Sequence, residues 1–221
     1  MGYSRSAYYK QAKRRYVQTT DSRHWMRKYP NLISELPLPT RSEQIWVSDI
    51  TYVASDEGFG YLSLITDAYS KRIMGYAFRS DLTKEGPLWA LRMALKGRRY
   101  TDQALIHHSD RGYQYCSKDY VTLLKINRIN ISMTERGSPY ENAIAERING
   151  ILKQEFLLQE SFVDRNTAKQ VIDQSVMIYN SKRPHLSLDM QTPDQAHKAN
   201  QHRRILWTKN RCRHAYTDLT E

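Results

Sequence analysis

The sequence predicts an α/β fold in which a mixed β-sheet is covered by helices. Three segments rich in β-branched and aromatic residues, at 45–53, 61–66 and 72–78, follow one another across short turns. This pattern is typical of an antiparallel meander. Strand-like and helical stretches then alternate, and the chain becomes mostly helical beyond residue 141. Such an order favours a single sheet with helices packed on its faces.

The elements after the meander are predicted from apolar spacing and from residues that begin or end helices. A helix at 83–96 has Thr83 as a candidate N-cap and Gly97 directly after its end. A short helix near the C-terminus has Thr192 as N-cap and Pro193 at its first position. The remaining predictions, in chain order, are a strand at 104–108, a helix at 117–126 capped by Ser117, a strand at 129–133, helices at 141–159 and 166–181, and the short helix at 193–199.

Length and charge divide the chain into a core and two basic ends. Its 221 residues suit one mid-sized domain with appendages. The net charge of +11 is spread unevenly: residues 1–40 carry +6, residues 198–221 carry +4, and residues 41–197 carry +1. We therefore expect a basic N-terminal extension, a nearly neutral core at 41–197 and a basic C-terminal tail. Basic ends favour nucleic acid as a partner, although charged tails can also serve solubility alone.

Composition excludes several other classes of protein. With 40% hydrophobic residues the chain can bury a core, so general disorder is excluded. No run of apolar residues is long enough for a membrane span, and the first residues do not resemble a secretory signal. Two distant cysteines do not make a disulfide framework. A cytoplasmic protein without membrane contact is expected.

Three acidic residues lie where packing does not require them. Asp49 interrupts an apolar strand, which is costly unless something compensates its charge. Asp110 directly follows a buried strand, at the kind of strand end where α/β proteins often bind ligands. Glu146 lies on the helical face opposite Ile144 and Ile148. Each has an ordinary alternative: Asp49 could pair with a buried arginine, Asp110 could cap a turn, and Glu146 could face water.

The spacing of the three acids points to a known family. Sixty residues separate Asp49 from Asp110, 35 separate Asp110 from Glu146, and Lys153 follows two helical turns later. This resembles the DDE transposase and retroviral-integrase superfamily. Five ordered strings are similar, more closely, to the second-frame transposase of the bacterial insertion sequence 3 family: WVSDITYV, LITDAYSKRIMGY, HHSDRGYQYCS, GSPYENAIAERINGILKQE and YNSKRPHLSLDMQTPDQAH.

The resemblance implies an RNase H-like fold, with a five-stranded mixed sheet flanked by helices and basic N- and C-terminal extensions. It also implies that Asp49, Asp110 and Glu146 are the catalytic and metal-binding residues and that Lys153 contacts DNA. Two amides on the same helix, Asn142 and Asn149, are predicted to touch the DNA strand beside it. Carboxylates suit two Mg²⁺ or Mn²⁺ ions, which can activate and stabilise the oxygens of a phosphoryl transfer.

The resemblance further implies a transposase that cleaves and joins DNA at the ends of an insertion element and into a target. Its implied partners are DNA, further copies of the chain on that DNA, and a first-frame transposase subunit. Members of the family usually have a longer N-terminal DNA-binding region, so we expect residues 1–40 to be a shortened remnant of it. A catalytically silent DNA-binding remnant of such a transposase is the alternative.

Overall fold

The computed structural model describes residues 23–135 and 143–199, and its centre is a mixed sheet. Strand β1 spans Ile45–Ser55, β2 Gly60–Asp67 and β3 Ile73–Arg79. These three strands form the predicted antiparallel meander, since β1 pairs with β2 and β2 with β3 in opposite directions. Two shorter strands, β4 at Ile106–Ser109 and β5 at Asn130–Met133, extend the sheet in parallel, in the order β3-β2-β1-β4-β5.

A sixth strand was not predicted. Strand β6 has two residues, Ser161–Phe162, and pairs in parallel with the last residues of β1. Two residues carry too little periodicity to be seen in the sequence. Apart from β6, the mixed five-stranded sheet is as predicted.

Helices cover both faces of the sheet. Helices α1 (Glu85–Lys96), α2 (Tyr113–Cys116) and α3 (Lys118–Ile126) pack on one face. Helices α4 (Ala143–Glu155) and α5 (Arg165–Ser181) pack on the other. The side chains of β1 alternate between these two layers: Trp46 and Ile50 belong to the first core and Val53 to the second. No helix in the described part of the chain is both long and apolar enough to span a membrane.

The last helix is held by a buried polar cluster. Helix α6 (Pro193–Ala199) begins with the predicted cap: Thr192 Oγ1 accepts from the Gln195 N–H at 3.3 Å. Near its end the buried His197 ring lies 3.0 Å from Ser70 Oγ and 3.2 Å from Glu43 Oε1. Because these groups lie on three distant chain segments, their contacts tie α6 to the start of β1 and the end of β2.

The cap predicted at Ser117 is correct in position and wrong in bonding. Ser117 precedes α3, but its side chain makes no capping hydrogen bond to that helix. Its hydroxyl donates to the carbonyl of Gln114 at 2.7 Å instead, which links α2 to α3. Only Ser117 lies between the two helices, so its hydroxyl is within reach of a carbonyl group in α2. The N-cap of α1 is Lys84, one residue after the predicted Thr83, and its side chain makes no capping bond. The Thr83 hydroxyl does accept from the Glu85 N–H, at 3.4 Å.

The two adjacent histidines of β4 project to opposite sides of the strand and have different neighbours, as expected for successive residues of a strand. The Nε2 atom of His107 lies 2.8 Å from the Tyr120 hydroxyl oxygen, and Nδ1 of His108 lies 2.8 Å from Ser132 Oγ. Burial lowers the pKa of His107 to about 3, with a further contribution from His108. His107 is therefore neutral at physiological pH and belongs to the core.

Candidate active site

Strand pairing sets the segment that contains Asp49 beside the strand that Asp110 follows. The parallel register of β1 and β4 pairs Ile45 with Ile106 and Val47 with His108. If this register is continued for two residues beyond its last pair, Asp49 of β1 falls level with Asp110, the residue that directly follows β4. The two carboxylates are close enough for the charge of Asp110 to help raise the pKa of Asp49, and Asp110 lies at the end of β4. The sheet thus provides two of the three predicted acids.

Helix α4 brings the third acid to this place. Ile148 and Ile151 of α4 are buried against the sheet, and the helix packs over β1. Glu146 lies in the first turn of α4 and is exposed. The carboxylates of Asp110 and Glu146 both raise the pKa of Asp49, which shows that both negative charges act on it. The three predicted residues therefore share one electrostatic environment.

Asp49 is half-buried, and its carboxylate is held from two sides. The Ile50 N–H donates to Asp49 Oδ1 at 2.9 Å, and Asn149 Nδ2 donates to Asp49 Oδ2 at 2.6 Å. These bonds favour the carboxylate, yet burial raises its pKa to about 7, helped by Asp110 and Glu146. The effect of burial and of repulsion by the other two carboxylates on the pKa of Asp49 is therefore larger than that of its two hydrogen bonds. The site therefore needs positive charge for Asp49 to be fully ionised at neutral pH.

Asn149, which the sequence predicts to touch DNA, contacts Asp49 within the protein. The residue is 7% exposed, and its side-chain amide donates to Asp49 Oδ2. Its Oδ1 is buried and finds no hydrogen-bond partner among the described residues. The contact joins the catalytic helix to the central strand, and its DNA-binding role stays a prediction. Asn142, the other predicted amide, lies outside the described residues.

The Asp110 loop is shaped by a glycine. The Gly112 N–H donates to Asp110 Oδ1 at 2.8 Å. A Cβ at position 112 would lie 2.9 Å from both Asp110 Oδ1 and Gln114 Oε1, which leaves no room for a larger residue without movement. Both residues belong to the string HHSDRGYQY, but Gly112 and Gln114 are not among the site residues predicted from the sequence.

Lys153 lies on the same helix as Glu146, two turns further on. Its ammonium is 4.3 Å from the centre of the Tyr52 ring, a cation–π distance. Tyr52 belongs to β1, three residues from Asp49. The contact holds a positive charge over the part of β1 that follows Asp49, at the edge of the site.

The donor set suits a hard divalent cation, although the acids are not closed around one. In the described ranges no group of three or more His, Cys, Asp or Glu side chains has the geometry to hold a metal ion. Three carboxylates repel one another, and the exposed Glu146 side chain has room to move. All three predicted ligands offer oxygen, which Mg²⁺ and Mn²⁺ prefer, and burial together with the charges of Asp110 and Glu146 raises the pKa of Asp49. The residues therefore fit such an ion chemically.

Other candidate groups are unsuited to chemistry. Cys116 is buried, and burial raises its thiol pKa to about 11, so little thiolate forms. His185 is buried edge-on against Tyr179, with ring centres 5.1 Å apart. Its contacts are those of a packing residue.

Comparison with known proteins bears on the family. Models of the integrase core domain match residues 39–139 and 127–193. The transposase of insertion sequence element IS904 from Lactococcus lactis is 33% identical over 172 residues, covering 77% of this chain and 68% of that protein. The chain belongs to the insertion sequence 3 family of transposases, which carry an integrase core domain.

Two further relatives, both from insertion elements, have similar coverage. The IS600 31 kDa protein of Shigella sonnei is 41% identical over 182 residues, covering 82% of this chain and 66% of that protein. The IS3A transposase of Escherichia coli is 32% identical over 190 residues, covering 86% and 66%. The chain spans about two thirds of the length of these curated relatives.

Solved integrases confirm the RNase H-like fold of this transposase chain. A chain of the simian T-cell lymphotropic virus intasome superposes with a TM-score of 0.63 at 17% identity, covering 87% of this chain and 66% of that one. The catalytic core of HTLV-2 integrase superposes with a TM-score of 0.55 at 19% identity, covering 71% and 97%. At these identities the likeness is one of fold.

Proposed function

We propose that this chain is the catalytic core of a DNA transposase that cleaves and joins DNA strands by phosphoryl transfer. The observation that supports the proposal is that the charges of Asp110 and Glu146, which come from two other parts of the chain, both help to raise the pKa of Asp49. A cluster of acidic side chains destabilises the fold, because like charges are held near one another and partly out of water. Divalent cations bound at the site would neutralise this charge and could hold a DNA phosphate.

Mg²⁺ or Mn²⁺ is the proposed cofactor, with two ions when DNA is present. The three carboxylates would hold the ions, which supply Lewis acidity at the attacking and leaving oxygens of the phosphate. The HTLV-2 integrase core has been solved in complex with magnesium, which supports the same metal here. The Asn149 amide keeps Asp49 Oδ2 in a fixed direction, and the Gly112 N–H does the same for Asp110 Oδ1.

The chain itself contributes orientation and charge to the reaction. Lys153, placed at the edge of the site by Tyr52, would meet a DNA phosphate near the reacting one. Asn142 is proposed to lie beside the same strand, from the segment before α4. No side chain need become covalently attached, because water and then a DNA 3′ hydroxyl are the nucleophiles in a cleavage and joining sequence.

The DNA partners are the ends of an insertion element and a target duplex. We propose that several copies of the chain act together on that DNA, since joining two ends to one target needs more than one site. A first-frame subunit of the same element would supply part of the end recognition. The basic regions at 1–40 and 198–221 would add general affinity that weakens with salt.

A strand-transfer assay with the element's own DNA ends tests the proposal. Joined product is expected with Mg²⁺ or Mn²⁺ and not with a chelator, and Glu146→Gln should lower joining by roughly 1000-fold. The matched control is Glu160→Gln, which removes an exposed charge after α4 and should join like wild type. The assay is run with and without the first-frame subunit.

Equal joining by wild type and Glu146→Gln would contradict the catalytic assignment. DNA binding with no metal-dependent joining in any mixture would favour the alternative, a catalytically silent DNA-binding remnant.

Asn149→Ala tests the positioning of Asp49. The variant removes the 2.6 Å hydrogen bond and leaves Asp49 with the Ile50 N–H, so its carboxylate can turn away. Joining should fall by about 10- to 100-fold, with a higher Mg²⁺ concentration needed for half-maximal rate. Asn127→Ala, which removes an amide bonded to the Leu123 carbonyl at 2.8 Å, is the control. An unchanged metal requirement in Asn149→Ala would show that the contact does not position the ligand.

A further inference from the structure

A short N-terminal strip, residues 23–30, is fastened beside the Asp110 loop. The His24 ring, through Nε2, lies 2.9 Å from the carbonyl of Arg111, the residue after Asp110. At the other end of the strip the Pro30 carbonyl accepts from the Met133 N–H at 3.2 Å. The strip therefore runs from the candidate site to the outer strand β5 and is held at both ends.

The strip carries an aromatic surface that the fold does not bury. Trp25 is 92% exposed, which is unusual for the largest apolar side chain. Beside it is a cavity of about 340 Å³ whose walls include Trp25, Tyr29, Cys116 and Val121. This volume lies at the small end of the range for ligand sites and suits one planar ring system.

Positive charge surrounds this aromatic surface. The Arg27 guanidinium is 5.2 Å from the centre of the Tyr29 ring, and Lys125 Nζ is 6.0 Å from it. Lys118 lines the same cavity. The nearby acid of α3, Asp119, is already ion-paired with Lys84. Aromatic faces among cations are the features with which proteins hold single-stranded nucleic acid, by stacking bases and neutralising phosphates.

We propose that this surface binds an unpaired deoxynucleotide of the DNA held at the catalytic site, with the base stacked on Trp25 and Tyr29 and its phosphates facing Arg27 and Lys118. An unpaired base is favoured over duplex because its ring face is accessible, whereas bases in a duplex cover one another. The proposal rests on the proposed function, since the contact of His24 with Arg111 places the strip beside the acids that would cut the strand.

The test is equilibrium binding in a chelator, so that no cleavage or joining takes part. Full-length protein is titrated with a fluorescent single-stranded oligonucleotide from the flank of the element end, and with the same sequence as duplex. Trp25→Ala should bind the single strand roughly 5- to 100-fold more weakly and the duplex nearly as wild type. Trp89→Ala, which removes another exposed tryptophan from α1, is the matched control and should bind both as wild type does.

Lys118→Gln tests the phosphate contact. It should reduce the slope of log affinity for the single strand against log salt by about 0.7. Equal single-strand binding by wild type, Trp25→Ala and Lys118→Gln would overturn the proposal, even if strand transfer is intact. So would loss of self-association in Trp25→Ala without loss of DNA binding, because the surface would then bind protein. Conversely, weakened single-strand binding in these variants, in a protein that never joins DNA, would support the surface and count against the proposed function.

Discussion

Asp49→Asn should abolish strand transfer and, in metal-free protein, raise the stability of the fold. The loss of activity, roughly 1000-fold or more, follows because the substituted amide has no charge with which to hold a divalent cation. Geometry should change little. The introduced amide can still accept from the Ile50 N–H, and the buried Oδ1 of Asn149 can turn to accept from it.

The gain in stability follows from the pKa of Asp49. Burial, with help from Asp110 and Glu146, raises that pKa from 3.8 to about 7. The folded chain thus binds more protons than the unfolded chain between these two values, so the contribution of Asp49 to stability falls as pH rises through this window. Each pH unit is worth about 1.4 kcal/mol. Above pH 7 the variant should therefore exceed wild type by up to a few kcal/mol, or several degrees in Tm.

The measurement is the difference in unfolding free energy between Asp49→Asn and wild type from pH 4 to 8, with chelator present. The difference should grow with pH and level off above 7. Subtracting wild type removes the opposite effect of the buried histidines: the lowered pKa of His107 and that of His185 make the fold less stable in acid. Asp102→Asn, which changes an exposed carboxylate in a loop, should show no such trend.

Mg²⁺ gives a second reading of the same change. A cation that binds only the folded protein raises the stability of wild type by an amount that grows with the logarithm of its free concentration once that exceeds Kd. Added Mg²⁺ should therefore reduce the difference in unfolding free energy between Asp49→Asn and wild type, because it stabilises wild type alone. A variant that is less stable than wild type at every pH would contradict the conclusion that Asp49 is held at a cost to the fold.

The sheet and the three acids could be predicted from the sequence because their signals are local. A strand interrupted by Asp49, an aspartate directly after a buried strand, and a glutamate opposite the isoleucines of a helix are each visible within about ten residues. The 35-residue interval then linked them through a family resemblance. The pairing of β1 with β4 adds what spacing does not give, because it sets the segment that contains Asp49 beside the strand that Asp110 follows.

The contacts that were missed join residues far apart in sequence. The helical pattern of α4 places Asn149 beside the sheet-facing isoleucines, but it does not say which strand residue lies beneath. The bond to Asp49 spans 100 residues and depends on how α4 is seated. The same reason hides the pairing of His197 with Glu43, 154 residues apart, and the contact of His24 with Arg111. Side-chain direction across packed layers is a tertiary property with no local periodicity.

Gly75→Ala should be the most damaging conservative change in the core. Gly75 lies in β3 beneath α1, and a Cβ there would come 2.1 Å from the Ala90 carbonyl oxygen and 2.7 Å from the Ala94 nitrogen. Both are backbone atoms of a helix whose Ala90, Leu91 and Ala94 are completely buried. A side chain can rotate away from a new methyl group, but a helix backbone has to shift as a unit and repack against the sheet. Overpacking of this kind costs about 3 kcal/mol or more.

Gly150→Ala is the matched control because it makes the same substitution in the opposite surroundings. Nothing lies within 4 Å of a Cβ at position 150, which is inside α4, so alanine should stabilise that helix by about 0.5 to 1 kcal/mol. In thermal unfolding at fixed pH, Gly75→Ala should lower Tm by roughly 6 to 12 °C, and Gly150→Ala should raise it slightly. If both variants unfold within a degree of wild type, α1 does not pack on β3 through its backbone as the structure describes.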